Sequence, residues 1–80
     1  MKIKLYHEWA FIPKGFGYNE AFCVNETSRK KAVKVFKEKQ SAYDLPPFYN
    51  LKLIRSFLRF YDNEGDCVRC KVLKVWYKVK

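Results

Sequence analysis

Cys67-Val-Arg-Cys70 is the one pair in the chain with metal-ligand spacing. Two thiolates two residues apart make half of a structural zinc site, and His7 with Cys23 would complete a set of four. All four side chains would have to converge, and the surrounding pattern predicts that they do not. His7 belongs to the alternating row Ile3, Leu5, His7, Trp9 and Phe11, the apolar face of a strand. If the next strand aligns its apolar face with this row, His7 lies with Phe22 and Val24, and Cys23 points the other way. Cys67 and Cys70, three apart in an extended segment, are also expected on opposite faces. A lone CxxC with no second pair is weak support for zinc. His7 therefore reads as a core residue, largely buried against a helix, and no metal or other cofactor is expected.

Catalysis has little to draw on. There is one histidine, and its expected place is the core. Glu8, Glu20 and Glu26 are balanced by lysines and show no pairing suited to proton transfer. A nucleophilic cysteine would need a neighbouring base that the sequence does not supply. The only Gly-x-Gly, at Gly15 and Gly17, sits in a turn and is no phosphate loop. A non-enzymatic protein is expected.

Charge is the stronger signal. The formal net charge is +9, and it is uneven: residues 1–27 sum to zero, 28–40 to +5, 41–66 to −1 and 67–80 to +5. Two basic segments in one small chain make a polyanion the leading partner class. In the first segment Lys30, Lys34 and Lys37 recur at helical spacing, an exposed stripe about 10 Å long. Arg29 and Lys31 flank its start, where backbone N–H groups with Thr27 and Ser28 would suit a phosphate. Those cations also oppose the helix dipole, at roughly 0.3–1 kcal/mol each. The bland reading is a solvated, lysine-rich helix face.

In the second segment, burial of Leu73, Val75 and Tyr77 would turn Lys74, Trp76, Lys78 and Lys80 outward. Lys2, Lys4 and Tyr6 would point outward from the first strand as well. Cations interleaved with exposed rings suit single-stranded nucleic acid, because bases stack on the rings while cations track the backbone. An exposed Trp is equally an anchor for a protein partner. The candidate binding residues are therefore Arg29, Lys30, Lys31, Lys34, Lys37, Lys74, Trp76 and Lys78. The expected function is nucleic-acid binding, to DNA or RNA, with weak sequence specificity. The alternative is a protein-binding module, such as a small inhibitor or regulatory factor of viral or phage type, docking on an acidic surface.

The elements that must position these residues follow from periodicity. Residues 2–12 alternate as a strand, 13–17 carry a proline and two glycines and read as a turn, and 18–25 return as a second strand. Thr27 or Ser28 caps a helix running to about residue 40, with Ala32, Val33 and Phe36 buried. Pro46 and Pro47 break the pattern. Residues 51–61 fit both an amphipathic helix and a strand whose alternation changes phase. The last strand, 67–79, changes phase too, and pairing Tyr61 with Cys67 would set the two phase changes opposite each other at a shared bulge. This favours the strand. The result is an α+β fold: a small ββαββ domain, residues 1–80, with a mainly antiparallel four-stranded sheet, one helix on one face and the other face open to water.

Eighty residues with 2 Trp, 6 Tyr and 7 Phe suffice for one modest core. The N-terminus alternates charge with apolar residues and shows no secretory signal. No run is long enough to span a bilayer, and three cysteines give no disulfide framework. A cytoplasmic setting without membrane contact is expected. The first-turn cations give a direct test: replacing Arg29 and Lys30 by Gln should leave thermal stability unchanged or raise it by up to about 1 kcal/mol, as followed by thermal unfolding.

Overall fold

The computed structural model describes residues 2–45 and 49–77. Strand β1 (Lys2–Pro13) is followed by a single 3-10 turn (Tyr18–Glu20), β2 (Phe22–Glu26), helix α1 (Arg29–Ala42), β3 (Tyr49–Tyr61) and β4 (Cys67–Val75). All pairings are antiparallel and the sheet order is β2-β1-β3-β4. This is the expected ββαββ arrangement, and residues 51–61 are strand. Pro46, Pro47 and Lys78 lie outside the described residues. Among the described residues, no helix is long and apolar enough to cross a membrane.

Turn chemistry closes both hairpins. Gly15 adopts φ +86°, while the Phe16 N–H donates to the Pro13 carbonyl over 3.0 Å. A positive φ at this place is what a type II turn requires, and glycine meets it without strain. Between β3 and β4, one Asp62 carboxylate oxygen accepts from the N–H groups of Glu64 (2.9 Å) and Asp66 (3.0 Å), and Gly65 takes φ +87°. The turn thus sets Tyr61 opposite Cys67, as the alternation required.

Ser28 caps α1, its Oγ accepting from the Lys31 N–H over 3.2 Å. Ala32 and Phe36 turn inward against Phe11 and Val24, and the rings of Phe11 and Phe36 stack with centroids 4.2 Å apart. Tyr49 meets both rings edge-on, at 5.0 and 4.8 Å. Val33 is only half-buried at the margin of this cluster. The chain leaves the helix through Asp44 in the left-handed region (φ 53°) and brings Leu45 back against the core.

The helix covers less of the sheet than the apolar row on β1 led us to expect. A 14-residue helix is about 21 Å long, whereas a 12-residue strand extends about 40 Å. Phe11 is buried and Trp9 half-buried, but Leu5 is 46% and Ile3 55% exposed. His7 sits at the boundary, half-buried rather than deep beneath the helix.

The opposite face is not simply open to water either. Ala10, Ile12 and Ile54 form a second buried cluster there, covered by Tyr18, Ala21 and Tyr77. Tyr18 is therefore in a 3-10 turn over this back face and not in β2. Three register shifts replace the single bulge expected. One lies in the β1–β3 ladder, where Ile54 is the extra residue between the pairs Glu8–Arg55 and Trp9–Leu53. The other two lie in β4, where Leu73 and Val68 are extra relative to β3. Phe36→Ala should cost about 3–5 kcal/mol, because it empties the centre of the helix-side cluster; chemical denaturation would measure it.

Candidate nucleic-acid interface

Residues opposed across an antiparallel ladder share a face, so the register sorts the candidate side chains. On the helix side lie His7 and its partner Ser56, with Lys74 opposite Ser56 across the next ladder. On the back lie Tyr6, its partner Phe57 and then Val72. Lys74 and Trp76 thus share the side of the sheet that carries the helix, while Lys2, Lys4 and Tyr6 belong to the other. The expected single platform is divided in two.

Trp76 is half-exposed, at 51%. Its Nε1 donates to Ser56 Oγ over 2.8 Å, and Lys74 Nζ stands 3.8 Å from its ring centroid, covering one indole face. Ser56 Oγ lies 2.6 Å from His7 Nδ1. The Ser56 hydroxyl thus bridges the Trp76 indole and the His7 imidazole. The Trp76 and Tyr77 N–H groups both donate to the Ile54 carbonyl, at 2.7 and 3.1 Å, so the β3 bulge anchors the end of β4. Leu73 and Val75, expected beneath this strand, are about half-exposed at the sheet edge. Only Tyr77 turns inward, to the back-face cluster.

The helix stripe forms as the spacing required. Lys30, Lys31, Lys34 and Lys37 line one shallow surface hollow with Val33 and Glu38. Arg29 is exposed beside it at the first helical position, and the first turn contains no acid. The Ser28 hydroxyl is taken up by its own cap.

The back face carries a basic and aromatic group that sequence reasoning only partly identified. The rings of Tyr6 and Phe57 stack at 6.0 Å. The Arg59 guanidinium lies 4.7 Å from the Tyr6 centroid and 5.3 Å from that of Phe57. Arg55 reaches the same Phe57 ring at 5.5 Å while its Nε pairs with Glu8 over 2.7 Å. Lys4 stands 5.9 Å from the Tyr61 ring, and the Tyr61 hydroxyl donates to that of Tyr6 over 3.3 Å. Lys2, Lys4, Tyr6 and Tyr61, with Asp62 and Asn63 at the rim, line a cleft of about 600 Å³.

Two of these groups, Tyr6 and Arg59, are held in one protonation state by their surroundings. The hydrogen bond to Tyr61, with burial, pushes the Tyr6 phenol above its ordinary pKa, so it stays neutral and able to hydrogen-bond. Burial pulls Arg59 down, but its bond to Tyr61 and the nearby Tyr61, Cys70 and Cys67 groups raise it overall, and it remains a cation. The signal available in the sequence was the period-two spacing of Arg55, Phe57, Arg59 and Tyr61. Its faces could be assigned only once the bulge at Ile54 was located.

Comparison with protein-family models, with curated proteins and with solved structures finds no match. The Ser56 hydroxyl gives a local test. Ser56→Ala leaves His7 Nδ1 and Trp76 Nε1 without their shared partner, and should destabilise by about 1–3 kcal/mol. A red shift of Trp76 fluorescence, measured in a Trp9→Phe background, should accompany the loss.

Proposed function

We propose that the chain is a non-enzymatic nucleic-acid-binding protein of weak sequence specificity, with a single strand running over the back-face cleft. The observation that carries this reading is the coincidence of cations and rings there. Lys2, Lys4 and Arg59 stand against Tyr6 and Tyr61 at an open cleft, and the rim carboxylate of Asp62 is already engaged by two backbone N–H groups. Phosphates would meet the two lysines and the outer edge of Arg59, while the Tyr6 hydroxyl, which accepts from Tyr61, would donate to the strand and the Tyr61 ring would offer surface to sugars and bases. Nothing in this set reads base edges in a fixed pattern, which suits weak specificity. The exposed stripe of Arg29, Lys30, Lys31, Lys34 and Lys37 serves as a second backbone-binding surface on the other side of the molecule. Three free cysteines suit a reducing, cytoplasmic setting.

A second reading, a module that docks on an acidic protein surface, is favoured by the helix side of β1, β3 and β4 beyond the reach of α1. There Ile3, Leu5 and Trp76 are half-exposed and α1 does not cover them. Leu58 pairs with Lys71 and Phe60 with Arg69, so the apolar strip is rimmed by cations. In a self-associating, two-fold dimer this rim would face itself, so an acidic partner fits better than a second copy.

Salt-dependent binding of single-stranded and duplex oligonucleotides tests the proposal and separates the surfaces. Replacing Lys2 and Lys4 by Gln should weaken single-strand binding and reduce the magnitude of the log–log salt slope by about 0.7 for each phosphate no longer neutralised. Replacing Lys34 and Lys37 by Gln should have a smaller effect. Absence of salt-dependent binding, or affinity indifferent to the Lys2 and Lys4 replacements, would overturn the proposed site. Tight capture of an acidic protein, lost on Trp76→Ala and without oligonucleotide binding, would establish the second reading.

A further inference from the structure

Expected to face apart, Cys67 and Cys70 come together. Cys70 opposes Arg59 and Cys67 opposes Tyr61, and Arg59 and Tyr61 are two apart on one face of β3. The extra residue at Val68 makes this possible, because one inserted residue reverses the alternation beyond it. The two Sγ atoms are 3.7 Å apart, both cysteines are exposed, and Cys67 Sγ donates to the Arg69 carbonyl over 3.5 Å.

We propose that Cys67 and Cys70 form a reversible dithiol–disulfide couple that exchanges with small disulfides of the glutathione class. A disulfide needs the sulfurs at about 2.05 Å, a closure that exposed side chains reach by rotating about χ1. The bond would close a ring of only four residues in an existing hairpin, so it removes little chain entropy and adds little stability. A bond so placed is suited to forming and breaking, not to holding the fold. Glutathione disulfide is anionic at neutral pH, and Arg59 lies directly across the ladder from Cys70.

The exchange balances in two steps. One cysteine thiolate attacks a sulfur of glutathione disulfide, forming a mixed disulfide and expelling one glutathione thiolate. The second cysteine thiolate attacks the protein-side sulfur, forming the Cys67–Cys70 bond and expelling the other glutathione. The protein gives up two electrons and two protons, and glutathione disulfide leaves as two reduced glutathiones.

Cys23 serves as an internal control. It lies near the Tyr18 hydroxyl, away from the pair, and burial first of all pushes its thiol pKa up, which lowers its thiolate fraction. The full chain, treated with glutathione disulfide, should lose two of its three thiols and the mass of two hydrogens, without a lasting glutathione adduct. Trypsin cuts after Arg69, so without reductant the Cys67 and Cys70 peptides should remain joined, and dithiothreitol should separate them. Cys67→Ser and Cys70→Ser should each accumulate a glutathione adduct that cannot resolve, while Cys23→Ser should oxidise as the natural chain does. Retention of all three thiols, stable glutathione adducts on the natural chain, or linkage only between chains would overturn the proposal. The readout is thiol chemistry on the free protein, so its failure would leave the nucleic-acid reading untouched.

Discussion

The constraint from which most of this molecule follows is a mismatch of lengths. β1 and β3 pair over twelve positions of β1, and the molecule is 42 Å along its longest axis. Helix α1 is about half as long as β1. One helix cannot cover a sheet of that length, and the described residues contain no second one. The helix is committed to the β2 side, where Ala32 and Phe36 seal one cluster with Phe11 and Val24. Everything else on the sheet must be covered by local means or left exposed.

Those means differ from end to end. Beneath the first hairpin the back face is closed by a 3-10 turn and by Tyr77, which bury Ala10, Ile12 and Ile54. Further along, the described residues offer no further apolar element, and Phe57 is only 4% exposed nonetheless. Its cover is Tyr6 on one side and the side chains of Arg55 and Arg59. Long cationic side chains can lay their stems on apolar surface while keeping their charge at water, and a guanidinium gains from an aromatic face. The same residues therefore complete a core and create a positive surface. This coupling supports the proposed interface on the back face, because the groups that would attract a polyanion are already held in place by packing. On the helix side of the far end the described residues provide no such cover, and Ile3 and Leu5 remain half-exposed.

Much of the architecture was legible in the sequence because it rests on local patterns. Alternation marked β1 and β2, the Ser28 cap and the spacing of Ala32 and Phe36 marked the helix, and the turn around Gly65 set Tyr61 opposite Cys67. Alternation reports which residues share a face, however, and not how far along that face a helix reaches. Ile3, Leu5 and Phe11 are equivalent by period, yet only Phe11 meets α1. Alternation also fails beyond an inserted residue. The phase change in residues 51–61 and that in the last strand were visible, but periodicity cannot say which residue is the extra one. That uncertainty decided the faces of Lys74 and Trp76 relative to Tyr6, and with them the division of the expected platform. The helix stripe needed no such information, and it formed as its spacing required.

The bulges also answer a problem that the fold itself creates. β4 is an edge strand with all nine residues exposed, among them Val68, Val72, Leu73 and Val75. A flat edge of this composition invites pairing with another chain. Here Arg69, Lys71 and Lys74 place charge along the edge, and the extra residues Val68 and Leu73 break its regular hydrogen-bonding register. Each bulge adds local twist and leaves a residue unpaired, so a second strand cannot run along β4 without interruption. The Val68 bulge has a further effect, since it alone turns Cys67 to the side of Cys70. Deleting it to make a regular ladder would separate the thiols and straighten the edge in one step. Protection of the edge and the meeting of the two sulfurs thus have the same physical cause.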